Sequence, residues 1–118
     1  MKSRDAGRKP FGFTKKERIF RPEEFKRVMR FGRRRFSKNF ILFIQKNQEG
    51  MHRLGIVVKK EVGTAAFRNR VKRYLREFFR VYKHQISGSF DVILLVKKEC
   101  TIRKYRDAEG ELKGMLIS

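Results

Sequence analysis

Tryptophan is absent, and the 118 residues hold one cysteine, Cys100, and two prolines. A single thiol cannot build an internal disulfide framework and suits a reducing cytosol. No apolar run approaches the roughly 20 residues that a membrane-spanning helix needs. The basic stretch 1–16 is followed by no long apolar segment, so it is not read as a secretory signal. A cytoplasmic protein with no membrane partner is expected. Acidic residues are scarce, 12 against 32 Lys plus Arg, for a formal net charge of +20. His52 and His84 are not at metal-ligand spacing, Cys100 has no CxxC partner, and no GxxxxGK[ST] phosphate loop occurs. Asp91 and Glu99 flank an apolar run without forming an evident carboxylate pair. These absences predict no catalytic residue and no metal or cofactor held by the chain itself.

What is present is charge and phenylalanine. Hydrophobic residues make up 40%, with 12 Phe and 3 Tyr, which is enough for one modest core and too much for a disordered polycation. Solubility asks for a net charge of only about 2–8 on a small domain, and the excess here repels itself. A polyanion is the natural partner, and nucleic acid the leading one, through phosphate neutralisation and counterion release. The cations concentrate in residues 1–35 and 64–84, while 85–118 is nearly neutral.

Residues 1–12 read as a flexible basic arm, and 13–118 as a single domain. Pro22-Glu23-Glu24 opens a helix, since proline fits the first turn and acids suit the positive end of the dipole. Phe25, Val28 and Met29 form its apolar face, and Gly32 is a stop. The run Arg33-Arg34-Arg35 follows. Residues 40–44, 54–58 and 90–96 are rich in β-branched and aromatic residues and read as strands. The loop 47–51, with Gly50, predicts a hairpin between the first two. Between the second and third lies a helix over 65–83, with Thr64 as its N-cap. Phe67, Val71, Tyr74, Leu75, Phe78 and Tyr82 repeat along it at helical spacing. Tyr105, Ala108, Leu112, Met115 and Leu116 suggest a last helix, weakened by Gly110 and Gly114. The order α-β-β-α-β-α predicts an α+β sandwich with helices on one face of a small sheet.

Two features point to function. Residues 68–76 hold Arg68, Asn69, Arg70, Lys72, Arg73 and Arg76, and Glu77 is the only acid of that helix. A merely solvated face would mix signs for i,i+4 pairing. Arg68, Asn69, Lys72, Arg76, Arg80 and Lys83 share one polar sector opposite the apolar stripe, with Arg70 and Arg73 at its edge. Arginine binds phosphate through a planar fork and stacks on bases. The second feature is aromatic. Phe40, Leu42 and Ile44 point to one side of their strand, and Ile41 and Phe43 to the other. Whichever set is turned from the core helices can serve as a stacking platform for single-stranded nucleic acid, or both can be core.

The segments Leu54-Gly55-Ile56-Val57-Val58-Lys59-Lys60, Gly63-x-Ala65, Arg68-Asn69-Arg70-Val71-Lys72-Arg73 and Arg76-Glu77-x-Phe79-Arg80 resemble the protein component of bacterial ribonuclease P. So do Arg18-Ile19, Phe25-Lys26-x-Val28, Gly32 and Phe90-Asp91-Val92-Ile93. The resemblance covers roughly residues 13–117. It implies a fold like the second domain of ribosomal protein S5, a two-layer sandwich with a left-handed strand-helix-strand crossover, where the general rule favours a right-handed one. It implies a subunit that assists an endonuclease in which RNA and its Mg²⁺ ions carry out the hydrolysis. The protein binds that RNA, as a monomer in a 1:1 complex, and the 5′ leader of precursor tRNA. By position, Arg68, Asn69, Arg70, Lys72, Arg73 and Arg76 match the family's RNA-contacting helix. Phe25, Met29, Phe43, Lys59 and Lys60 match leader-cleft positions, although Met29 stands where an aromatic is common. Glu61 stands where a further basic residue is common. The competing functional readings are a structural RNA-binding protein of ribosomal type and a nuclease that works without RNA.

Overall fold

The computed structural model describes residues 14–117; the arm assigned to residues 1–12 lies outside them, as do Phe11 and Phe13, two candidates from the sequence for base stacking or for docking on the domain. Pro22 at the first position, Glu23 and Glu24 in the first turn and the predicted apolar stripe build α1, Pro22–Phe31. The chain then forms β1 (Arg33–Phe36), β2 (Phe40–Lys46), β3 (Arg53–Val57), α2 (Ala65–Tyr82), β4 (Phe90–Val96) and α3 (Tyr105–Leu116). The sheet order is β1-β2-β4-β3. β1 and β2 are antiparallel, as are β2 and β4, whereas β3 and β4 are parallel. β3 and β4 are thus parallel neighbours joined through α2, the arrangement that the crossover expectation presupposes.

The α+β architecture stands, with three corrections to the element reading. First, the arginine run is itself an edge strand, β1, so the sheet has four strands. Arginine hides the strand pattern, and the pairing with β2 through a turn over residues 37–39 creates it. Buried Asn39 and Ser37 both bond Glu111 of α3, with Asn39 Nδ2 donating to Oε1 at 2.8 Å. Second, β2 and β3 form no hairpin, because β4 runs between them. Val92, Ile93 and Leu94 of β4 are all buried, and a strand apolar on both faces gains most from a central position. Third, helices lie on both faces. α2 and α3 cover Phe40, Leu42, Leu54, Val92, Leu94 and Val96. α1 covers part of the other face, where Val28 packs with Ile19, Phe43 and Ile93.

Two glycines set the position of α1. A Cβ on Gly55 would stand 2.8 Å from the Phe25 ring, so the ring rests directly on β3. A Cβ on Gly32 would stand 2.5 Å from the Val28 carbonyl oxygen and 3.0 Å from that of Ile44, so only glycine lets the chain leave α1 this close to β2. α2 begins where expected, with Thr64 Oγ1 accepting from Phe67 N at 3.1 Å. α3 forms despite its glycines, since Gly110 and Gly114 face open space while Ala108, Leu112 and Met115 are buried.

The segment before α1 runs beside β3, with Ile19 N donating to Leu54 O at 2.9 Å. Its Glu17 forms an ion pair with Lys83 at the C-terminal end of α2. Burial alone would push the Glu17 carboxyl up, but bonds from Lys83 Nζ and Thr14 N outweigh it and hold the group below its ordinary 4.5. A carboxyl depressed in the folded state contributes its full stability above about pH 4.5 and loses it as pH falls through the folded value. Glu17→Gln is therefore expected to lower stability at neutral pH and to flatten the acid limb below about pH 4.5. Urea unfolding across that range checks this; parallel pH curves for the two proteins would refute it.

Candidate nucleic-acid interface

The cations of α2 are positioned by its apolar stripe. Val71, Leu75, Phe78 and Phe79 are buried, which turns Asn69, Arg70, Arg73 and Arg76 to the exterior. Arg68 and Lys72 are half-buried and flank the stripe. The sector drawn from the sequence is thus rotated: Arg70 and Arg73 stand well out, and Arg68 and Lys72 form the edge. Among the described residues, none of Arg68, Arg70, Lys72, Arg73 and Arg76 has an ion pair. Arg68 Nε donates to Gly63 O at 3.1 Å, across the helix start. The Arg73 guanidinium stands 5.9 Å from the Tyr74 ring centroid.

Two cations leave the predicted ridge. Lys83 is buried in its pair with Glu17. Arg80 Nη2 donates to Glu77 Oε2 at 2.6 Å. That bond, ahead of the charge attraction, holds the Glu77 carboxyl low and the Arg80 guanidinium high. Glu77 therefore neutralises one cation near the C-terminal end and leaves the first three turns unopposed.

The other candidate residues gather on the α1 side of the sheet. Phe25, Met29 and Phe43 share one apolar cluster. Phe43 is only 5% exposed, so its ring forms a wall under α1 rather than an open stacking face. The uncovered part of that face lies one register row further along. Phe36 pairs with Ile41, Ile41 with Leu95, and Leu95 with Val57, so these four cross all four strands in one line. Directly opposite residues share a face. Phe36 is 64% exposed, and the other three are half-buried. Beside this row, Leu95 lines a shallow recess of about 280 Å³ with Lys59, Glu61 and Lys98. Lys59 and Lys60 are both exposed beyond the end of β3.

A groove of about 340 Å³ joins the two regions around β3. Phe25 and Ile19 line it from the α1 side, Leu54 and Ile56 from β3, and Lys72 and Arg76 from α2. Phe20, 68% exposed, stands at the same groove. The sequence reading named Ile41 with Phe43 as one face of the strand but missed Phe20, Phe36, Leu95 and Val57. Ser37 and Asn39 after Phe36, both turn formers, were the available signal for β1.

His52, Cys100 and Asp91 sit in structural surroundings. His52 is buried, with Nε2 2.8 Å from Ile86 O and Nδ1 accepting from Phe90 N. Cys100 is half-buried, and burial pushes its thiol up. Asp91 is held in an ion pair, with Arg53 Nε donating to it at 2.8 Å. Among the described residues, no three or more His, Cys, Asp or Glu side chains converge, and no helix is long and apolar enough to cross a membrane.

Comparison with known proteins bears directly on these surfaces. The family model for ribonuclease P matches residues 13–118. A ribonuclease P protein component from Syntrophus aciditrophicus is 36% identical over 110 residues, covering 93% of this chain and 92% of its own. One from Desulfosudis oleivorans is 40% identical over 102 residues, covering 86% and 84%. Among solved structures, the RNase P protein from Thermotoga maritima superposes with a TM-score of 0.77 at 30% identity, covering 85% of this chain and 94% of that one. The RNase P protein from Staphylococcus aureus gives 0.76 at 30% identity, covering 83% and 90%.

Proposed function

Because the chain belongs to the ribonuclease P protein family, we propose that it binds the ribonuclease P RNA through α2 and the 5′ leader of precursor tRNA across the α1 side of its sheet. Membership places it in the ribonucleoprotein that matures tRNA 5′ ends and displaces the ribosomal-type alternative. The observation that carries the division of labour is the pairing of an ion-pair-free cation face on α2 with a separate apolar row that ends at lysines. Phosphates of a folded RNA suit the first. Bases of a single strand suit the second, because every base has a face to stack. Arg68, Asn69, Arg70, Lys72, Arg73 and Arg76 contact the ribonuclease P RNA. Phe25, Met29 and Phe43 shape the leader cleft, and Lys59 and Lys60 meet its phosphates.

In this reading the residues brought together bind and position, and hydrolysis belongs to the RNA and its Mg²⁺ ions. The protein lowers phosphate repulsion where substrate and catalyst meet, in a 1:1 complex. The test is precursor-tRNA cleavage by the cognate RNA at low Mg²⁺, with and without this chain. Faster cleavage and tighter binding of precursor than of mature tRNA are expected; no gain in either would overturn the proposal.

The geometry also selects the residue to test. Phe43→Ala empties a buried site and is expected to cost about 3–5 kcal/mol of stability, which confounds any binding measurement. Phe36→Ala removes an exposed ring. It is expected to leave the fold intact and to weaken precursor-tRNA binding about tenfold, within the range of about 1–3 kcal/mol for a lost base stack. Binding of mature tRNA, which has no leader, is the control. An equal loss for both would remove the leader from this face.

A further inference from the structure

On the opposite side of the sheet, near the β1 edge, lies a concavity of about 710 Å³ that the leader and α2 surfaces do not use. Leu42, Ile44 and Phe90 form its floor, and Met115 and Leu116 at the end of α3 form one wall. Phe31, 66% exposed, also lines it, with the Arg30 guanidinium 5.2 Å from its ring centroid. Three cations come from the same sheet face. Arg33 is opposite Ile44, Arg35 opposite Leu42, and Lys46 opposite Phe90. Arg35 has a structural task, with Nη1 donating to Met115 O at 2.8 Å. Arg33 and Lys46 have no ion pair among the described residues.

We propose that this groove binds a single-stranded RNA segment, one base lying against Phe31 and the apolar floor and the adjoining phosphates on Arg33 and Lys46. The volume falls within the range of sites that enclose a small organic group. An apolar peptide there would strip water from Arg33 and Lys46 with nothing in return. A ringless polyanion would leave the apolar floor wet. A nucleotide chain supplies a flat ring and a charge on either side of it. The inference rests on the reading that the chain works on RNA and adds a third contact surface, on the other side of the sheet from the leader face.

The test uses the full chain and a single-stranded RNA of about ten nucleotides carrying 4-thiouridine. Photocrosslinks are expected on peptides containing Phe31 or Phe90, and they should persist in a chain carrying Phe36→Ala with Arg70→Ala and Arg73→Ala. Arg33→Ala with Lys46→Ala is expected to lower the salt slope of oligonucleotide binding by about 1.4, two single-strand phosphate contacts. Phe31→Ala should weaken binding about tenfold. Circular dichroism confirms that these surface variants fold. Crosslinks confined to the α1 side of the sheet, or an unchanged slope, would overturn the proposal. So would a deca-glutamate peptide that competes as well as the RNA while Phe31→Ala has no effect, since the site would then recognise bare charge. Crosslinking in the reconstituted complex identifies whether the ribonuclease P RNA or the precursor supplies the strand. Failure of the wild-type chain to stimulate cleavage is a separate result and counts against the proposed function instead.

Discussion

Arg70→Ala combined with Arg73→Ala is expected to weaken binding of the ribonuclease P RNA by about 100-fold or more while leaving the fold unchanged. Both side chains are exposed on α2 and neither has an ion pair among the described residues, so their removal breaks no salt bridge inside the protein and costs only the contact of Arg73 with the Tyr74 ring. A hydrogen bond to a charged group contributes about 1.5–3 kcal/mol, and two lost contacts give an effect of this size. The salt dependence should change with it, the slope falling by about 0.9 for each duplex phosphate contact removed. Arg80→Ala is the internal control. Its guanidinium is held by Glu77, so its removal should weaken binding far less than the double variant does. Filter binding or anisotropy at several salt concentrations checks both. If Arg80→Ala matched the double variant, total charge and not the α2 face would be what the RNA reads. Arg68→Ala is a poorer probe, because Arg68 also spans the helix start to Gly63.

Asp91→Ala is expected to cost the fold about 3–5 kcal/mol, as much as emptying a buried aromatic site. Asp91 is 2% exposed. Its Oδ1 accepts from Arg53 Nε at 2.8 Å and from Asn47 Nδ2 at 2.7 Å, and its Oδ2 from Arg53 Nη2 at 2.9 Å. Arg53 Nη1 also donates to Glu24 Oε2 at 3.1 Å. One carboxylate therefore ties together the parallel β3–β4 pair, the first turn of α1 and the start of the β2–β3 connection. The bond to Asp91, before any other influence, raises the Arg53 guanidinium well above its ordinary value. Without Asp91 that half-buried cation keeps, among the described residues, Glu24 alone as an ionic partner. Thermal unfolding should move down by roughly 15 °C or more. A paired replacement, Arg53→Met with Asp91→Leu, should recover most of the loss, because it removes both charges together. A loss below about 1 kcal/mol for Asp91→Ala would show that the network is solvated and structurally idle.

The two helices with strong apolar stripes were legible because their signals are local. Pro22 and the acids after it, the Thr64 cap and the spacing of Val71, Leu75 and Phe78 each act within a turn or two of chain. The arginine-rich face was legible for the same reason, since a stripe on one side of a helix leaves the other side to solvent. Strand order was not legible. Residues 40–44 and 54–58 looked like hairpin partners because a short loop joins them, yet the pairing is decided by where Val92, Ile93 and Leu94 can be buried on both faces. β1 was hidden because three arginines carry no strand pattern, and only the register with β2 makes them one. Lys83 shows the same limit within the site. The helical wheel placed it among the RNA-facing cations, but a wheel does not show that Glu17, far away in sequence, lies against it.

The sequence by itself determined that this is a cationic α+β domain whose partner is a polyanion, and the arginine-rich segment determined its family. Those properties depend on composition and on contacts between near neighbours. Tertiary structure alone decided which cations are unpaired, which phenylalanines are walls and which are exposed, and how the groove around β3 joins α2 to the sheet face. Burial and ion pairing are set by residues distant in the chain, and those distances close only when the strands take their places in the sheet.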